Sequence, residues 1–516
     1  MGGMLKSRTF GLRPLLAACA GAAALISAAS PAHAEWRKAE SERFVVYSEG
    51  SESSLRRFVQ RLEIFDRVLN VRLTNSMGEA PPRKLPIYLV GSRAGLVKVR
   101  PGLGENIVGY YMPSDEDIFA LAIRDGDDDT LLHEYAHHFM FQHSAYPYPA
   151  WFIEGFAEYY MTAEFKADRV LTGQANTNRA YWLRDGNWLD MQALLSSRPG
   201  KRAKGSETYY PLAWLLTHWF WGNTERQQQL NAYFVDVGAG GDPVQAMERA
   251  TGMDMTQLRR ELRRYMNGRI PYQAMVMDIP DVPMTVTVLP PSADTLLLLG
   301  QRVKLLERED DDAAAVLAEV RRAAARYPDD TLATLVQARA EMNAGDAAVG
   351  TTLAQGLLER EPTNVEALQL LAEARLKASR DADDLGDSDR LRAEASRYLG
   401  RAYRADETNY RTFMLLAQTR SGQPGYPNEN DIATLELARQ LAPQLSGTVL
   451  NLAAALIHTG KTDEAVALLE PLANNPHGGG GAGAARSMIN TAKGISDDED
   501  EAAEPAPEAE PEDTGT

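Results

Sequence analysis

The alternation of apolar and polar residues changes period along the chain, and each change marks an element. Phe44-Val45-Val46-Tyr47 is a short β-rich run. Residues 53–73 carry Leu55, Phe58, Val59, Leu62, Phe65 and Leu69 at helical spacing, which predicts one amphipathic helix. Leu85-Pro86-Ile87-Tyr88-Leu89-Val90 predicts a second strand, with its proline at the start, where a missing N–H is tolerated. Residues 107–112 and 118–123 flank Pro113-Ser114-Asp115-Glu116, which is a hairpin pattern. From 127 to 190 the pattern is largely helical, broken at Tyr146-Pro147-Tyr148-Pro149, and further helices are expected at 210–221 and 255–266. Residues 279–291, rich in proline and β-branched side chains, read as a link between domains.

From 292 onward nearly every residue is a helix former, and a repeat emerges. Pro328 and Ala338 recur as Pro362 and Ala372, an offset of 34 residues. Pro443 and Ala453 keep the internal spacing of ten, and Glu407 with Ala417 fits a fourth unit. Proline ends one helix, and the small alanine lets the next pair pack closely. A helical period of this length resembles tetratricopeptide repeats. The match is degenerate: the family's Trp and Tyr positions are mostly absent, and the polar insertion at 379–389 breaks the period.

Composition narrows the function class. Hydrophobic residues make up 44% and charged residues 24%, a globular balance. The 54 basic residues against 71 acidic ones give a net charge of −17, the wrong sign for a nucleic-acid binder. The single cysteine, Cys19, excludes a disulfide framework and a cysteine-rich zinc module. Lys6, Arg8 and Arg13 precede an apolar stretch at 15–29 that ends in Ala32-His33-Ala34. That is the pattern of a secretory signal peptide cleaved after Ala34, so the mature chain is expected to be periplasmic or secreted. A lipobox at Leu16-Ala17-Ala18-Cys19 has too short an apolar run before it, and an uncleaved membrane anchor would need a longer one. No long uninterrupted apolar run follows, so no transmembrane segment is expected in the mature chain. Residues 497–516 hold ten acids and no base and read as a disordered tail. Without leader and tail the remainder carries −10. The glycine run Gly478–Gly483 reads as the point where ordered structure fails.

One constellation carries chemistry. Asp127-Asp128-Asp129-Thr130 supplies first-turn and capping residues ahead of Leu131-Leu132-His133-Glu134-Tyr135-Ala136-His137. His133 and His137 stand at i and i+4, which puts two imidazoles on one helical face, as two zinc ligands require. Downstream, Trp151-Phe152-Ile153-Glu154-Gly155-Phe156-Ala157-Glu158 offers a carboxylate embedded in apolar residues. The proline loop between gives a second helix room to return Glu154 to the histidines. His143, six residues after His137, has the spacing of a third histidine ligand in metzincins. That family bends the chain at a glycine where Met140 stands here.

Together these two blocks resemble the gluzincin metallopeptidases, especially the bacterial peptidase-MA-like group and, more distantly, the zinc aminopeptidases. The resemblance spans about 35–266. It implies a Zn2+ ion held by His133, His137 and Glu154, with Glu134 as general base toward a zinc-activated water. It implies that Glu158, one turn beyond Glu154, orients a ligand imidazole. Glu207-Thr208-Tyr209-Tyr210-Pro211-Leu212-Ala213-Trp214 resembles the Tyr-containing helix that follows in peptidase-MA-like proteins. Tyr210, with Tyr209 in reserve, is therefore the expected stabiliser of the tetrahedral intermediate. The edge strand expected at 107–111 would bind substrate main chain. His218 reads as structural. The expected chain is thus an α+β metallopeptidase domain, a small mixed sheet plus zinc-binding helices, followed by an all-α repeat domain. The boundaries read as signal peptide 1–34, peptidase domain 35–285, linker 286–290, repeats 291–490 and acidic tail 491–516. The substrate would be a peptide or protein, and the repeats would offer a surface to a protein partner. The rival reading is a periplasmic repeat scaffold that binds proteins or peptides and carries an inert peptidase-like domain.

Overall fold

Strand β3 (Leu85–Val90) is apolar at every turn of its pleat because it is covered on both faces. The computed structural model describes residues 35–73, 83–105, 107–124, 129–144, 146–175, 177–185, 187–196, 204–277 and 281–495. The expected leader and the acidic run from 497 lie outside them. A mixed six-stranded sheet is built from β1 (Arg37–Glu40), β2 (Phe44–Ser48), β3, β4 (Gly109–Pro113), β5 (Ile118–Ile123) and β9 (Thr285–Val288), in the order β4-β5-β3-β2-β1-β9. β2, β3 and β5 run parallel, and β2 reaches β3 through the helix Glu52–Leu73. β6 (Glu164–Phe165), β7 (Arg169–Thr172) and β8 (Gln273–Val276) form a separate three-stranded sheet.

The period-2 alternation sorts the sheet's side chains between two cores. Phe44, Val46, Ile87, Leu89, Ala120 and Ala122 pack with the Glu52–Leu73 helix and the Asp129–His143 helix. Tyr88, Val90, Phe119 and Leu121 face the other way, onto Leu96, Ala293 and Leu297. Ala293 and Leu297 belong to Ala293–Lys304, the first helix of the C-terminal array. The N-terminal mixed sheet and the all-helical array therefore share a core.

That sharing corrects the expected linker. Residues 285–288, within the supposed link, form β9, which pairs antiparallel with β1. The β-branched residues that suggested a spacer fit a pleated edge strand instead.

The array consists of Ala293–Lys304 with Ala313–Ala324, Thr331–Ala344 with Ala347–Arg360, Val365–Arg380 with Leu385–Ala405, Tyr410–Arg420 with Glu429–Leu441, and Ser446–His458 with Thr462–Ala473, then Gly479–Lys493. Pro328, Pro362, Glu407 and Pro443 each stand three residues before the first helix of a pair, and Pro476 holds the same place before Gly479–Lys493. Ala338, Ala372, Ala417 and Ala453 are all buried, as close helix packing demands. The inserted segment ends the helix Val365–Arg380, forms the loop at 381–384 and opens the long helix Leu385–Ala405, capped by Asp384.

The glycine run does not end the order. Gly479–Lys493 is a helix, so ordered structure continues to Ile495 and the expected tail boundary at 491 moves outward. Its glycines allow close approach: a Cβ on Gly481 would stand 2.3 Å from Ser446 Oγ. Ala482 and Ala485 are fully buried behind it.

The first helices of successive pairs, with the loops that lead into them, face the sheet domain. They clasp the tip of the β4–β5 hairpin. Asp117 accepts from Arg83 at 2.5 Å and from Lys304 at 2.7 Å. Glu116 meets Arg339, and it accepts from Arg411 at 2.7 Å. Tyr410 Oη donates to the Ser114 carbonyl at 3.2 Å. This basic face of the array is engaged by the chain's own acidic turn.

Candidate metal centre

The helix Asp129–His143 is fixed before any metal is considered. Tyr135 donates from Oη to Asp66 Oδ1 at 2.6 Å, and Arg43 meets Asp66 Oδ2 at 2.7 Å. This buried knot ties the helix to Glu52–Leu73 and to the β1–β2 turn. Burial pushes the Asp66 carboxyl up to about 6, against the pull of Tyr135 and Arg43.

With the helix held, His133 and His137 turn their Nε2 atoms toward each other at 3.1 Å. The helix Ala150–Tyr160 returns after the Pro147–Pro149 loop and brings Glu154 Oε2 to 3.5 Å from His133 Nε2 and 3.3 Å from His137 Nε2. Gly155 sets that approach. A Cβ there would lie 2.2 Å from Thr217 Oγ1 and 2.5 Å from the Ala213 carbonyl, so only glycine lets Ala150–Tyr160 lie against Tyr209–Trp221.

Glu154 is completely buried, and a buried carboxylate needs a cation beside it. The three donor atoms stand 3.1–3.5 Å apart. Ligands about 2.0–2.1 Å from a tetrahedral zinc are separated by about 3.3 Å. The donor set, two imidazoles and a carboxylate, suits zinc in chemistry as well as in spacing. Burial pushes the His133 imidazole down to about 4, which keeps it neutral and able to donate a lone pair. Burial would raise the Glu154 carboxyl, but His477 and His137 beside it hold it well below the usual carboxylate range.

The remaining predicted residues fall at graded distances. Glu158 is buried with Oε1 3.3 Å from His133 Nδ1, on the far side of the ring from the cluster. Glu134 is half-buried on the same helix. Tyr210 places its ring 6.5 Å from that of His133, while Tyr209 is buried in the core. His143 is not part of the cluster: its ring packs on Phe139 at 4.4 Å as the helix continues. His218 is held by the Tyr265 hydroxyl and the Pro271 carbonyl, both at 2.9 Å. β4 ends the six-stranded sheet beside the Asp129–His143 helix, and Tyr111 Oη lies 2.8 Å from His138 Nδ1.

One member of the cluster was not anticipated. His477, on the loop before the last helix, has Nε2 2.8 Å from Glu154 Oε1 and its ring 4.9 Å from that of His137. Potential ligand atoms of His133, His137, Glu154 and His477 all lie within 4.8 Å of one another. Burial lowers the His477 imidazole, but Glu154 and Glu134 outweigh it and raise the group above its ordinary value. The field at this spot thus favours a cation. The sequence held one clue: His477 follows Pro476, which continues the proline register of the repeats. A cavity of about 640 Å³, lined by Arg57, Arg61, Arg124 and Lys166 among others, opens elsewhere, and no cluster residue lines it.

No protein-family model matches the chain, and no curated protein sequence matches it. Among solved structures, the chain is similar to TTC0263, a thermophilic TPR protein of Thermus thermophilus, at 20% identity and a TM-score of 0.33. The match covers 38% of this chain and 98% of that one.

Proposed function

We propose that the chain is a zinc metallopeptidase of the gluzincin type, in which His133, His137 and Glu154 hold the metal. A single observation supports this reading best. Three donor atoms from two helices, the Nε2 atoms of His133 and His137 and an oxygen of the fully buried Glu154 carboxylate, converge at 3.1–3.5 Å from one another. Zinc in such a site supplies a Lewis acid and makes water a nucleophile near neutral pH. Glu134 takes the proton released by the attacking water and delivers it to the leaving amine. Glu158 accepts from His133 Nδ1–H, so the imidazole presents Nε2 to the metal in one tautomer. The Tyr210 hydroxyl donates to the oxyanion as the carbonyl becomes tetrahedral. β4, the outermost strand of its sheet, aligns an extended substrate by main-chain hydrogen bonds. The substrate is a peptide or unfolded protein segment, met outside the cytoplasm.

A second reading is favoured by the all-helical array from Ala293 to Lys493. Here the repeats act as a scaffold that binds proteins or peptides, and the metal centre only braces the fold. Zinc content and peptide-library cleavage, measured on the full chain and on Glu134→Gln, separate the two. The peptidase reading expects one zinc per chain in both proteins and hydrolysis only where Glu134 is present. Zinc-free protein, or hydrolysis that survives Glu134→Gln, would overturn it.

A further inference from the structure

We propose that His477 is a fourth protein ligand of the metal centre, supplied by the helical array, so that the folded chain holds a closed and latent site. This rests on the zinc reading above and adds to it a means of control.

The geometry carries the assignment. His477 Nε2 approaches the one carboxylate that His133 and His137 already flank, and it takes the second oxygen, Oε1, at 2.8 Å. A plain ion pair between His477 and Glu154 would leave the Nε2 atoms of His133 and His137 facing each other at 3.1 Å around the other oxygen. One cation among the four satisfies all of them. Three imidazole nitrogens and one carboxylate oxygen complete a tetrahedral zinc shell.

The chain is built to hold His477 there. Pro476 restricts the backbone just before it, and His477 N donates to Asn475 Oδ1 at 2.9 Å. Asn474 Nδ2 donates to the Pro147 carbonyl at 3.1 Å, on the loop joining the two metal-binding helices. One repeat earlier, Gln444 reaches His138 Nδ1 at 3.3 Å and also meets Gln142. Two successive repeat loops therefore seat on the helix Asp129–His143 and the loop that follows it. The close seating of Gly481 on Ser446 draws the last helix, and His477 with it, down to that level.

A catalytic zinc keeps one position open, whereas a structural zinc has its shell closed by protein. With His477 in place the open position is filled, and substrate can enter only after the Asn474–His477 loop lifts away. The His477 side chain is 46% exposed, so it can leave without breaking a core.

The test uses the full chain loaded with Co2+ or Zn2+, as wild type, His477→Ala and His477→Gln. The visible Co2+ spectrum of the wild type should be that of a four-coordinate shell without solvent. Both variants should shift in band position and intensity, and free imidazole should restore the His477→Ala spectrum. Apparent zinc affinity should fall at least about tenfold. Peptide hydrolysis should rise in both variants and vanish when Glu134→Gln is added. Unchanged spectra and affinity would overturn the ligand assignment while leaving a three-ligand zinc site intact. Equal hydrolysis by wild type and variants would overturn latency while leaving the peptidase reading intact. Shifted spectra with no hydrolysis in any protein would sink the peptidase reading but keep His477 as a ligand.

Discussion

Gly155 lies against Ala213 so closely that a Cβ on the glycine would stand 2.5 Å from the alanine's carbonyl oxygen. This contact lets two helices cross with Glu154 on one and Tyr210 on the other, both turned toward His133. It explains why a glycine, the poorest helix former but proline, sits in the middle of Ala150–Tyr160.

Gly155→Ala should therefore destabilise the protein by about 1–3 kcal/mol through overpacking, against the usual gain from helix propensity. Urea unfolding measures it. A neutral or stabilising result would mean that the helices are not pressed together at this point.

Asp117 ties the hairpin tip to the array. Burial raises its carboxyl, but Lys304 and Arg83 outweigh this and hold it at about 2, below its ordinary 3.8. Because the folded value is depressed, the stabilisation is fully present above about pH 4 and is lost as pH falls toward 2. The shift corresponds to roughly 2 kcal/mol. Wild-type stability should fall over that window, and Asp117→Asn should flatten this part of the profile. An identical slope in the variant would place the acid sensitivity elsewhere.

Glu158→Gln keeps the shape of the side chain but weakens its pull on the His133 Nδ1–H. Zinc affinity should drop by about 10–100-fold, with the fold unchanged by circular dichroism. Unaltered affinity would reduce Glu158 to a packing residue.

How far the sequence could be read depended on how local each signal was. The helix at 53–73 and the strands at 44–48, 85–90 and 118–123 announce themselves because burial imposes their period within a few residues. The i, i+4 histidines and the apolar block around Glu154 were equally local, and the structure brings these side chains together. β9 was not legible, since its pairing partner β1 lies at the other end of the sheet domain and four residues carry little pattern. The helix at the glycine run was missed because its glycines answer to Ser446, a neighbour from the previous repeat, rather than to local propensity. His477 escaped for the same reason: nothing near it in sequence speaks of metal, and only the path of the repeats carries it to Glu154.

Glu134→Gln should retain its zinc and lose at least about 10²-fold in peptide hydrolysis, both in the full chain and in the His477→Ala chain. Turnover that survives in the double variant would move the proton transfer to another group.

The metal content of Glu154→Ala beside that of His143→Ala tests the central claim most directly. Glu154 closes the cluster with Oε2 at 3.3 Å from His137 Nε2, while His143 is stacked on Phe139. Zinc bound at one per chain in the His477→Ala background should persist when His143→Ala is added and be lost when Glu154→Ala is added. Zinc retained without Glu154, or lost without His143, would contradict the centre described.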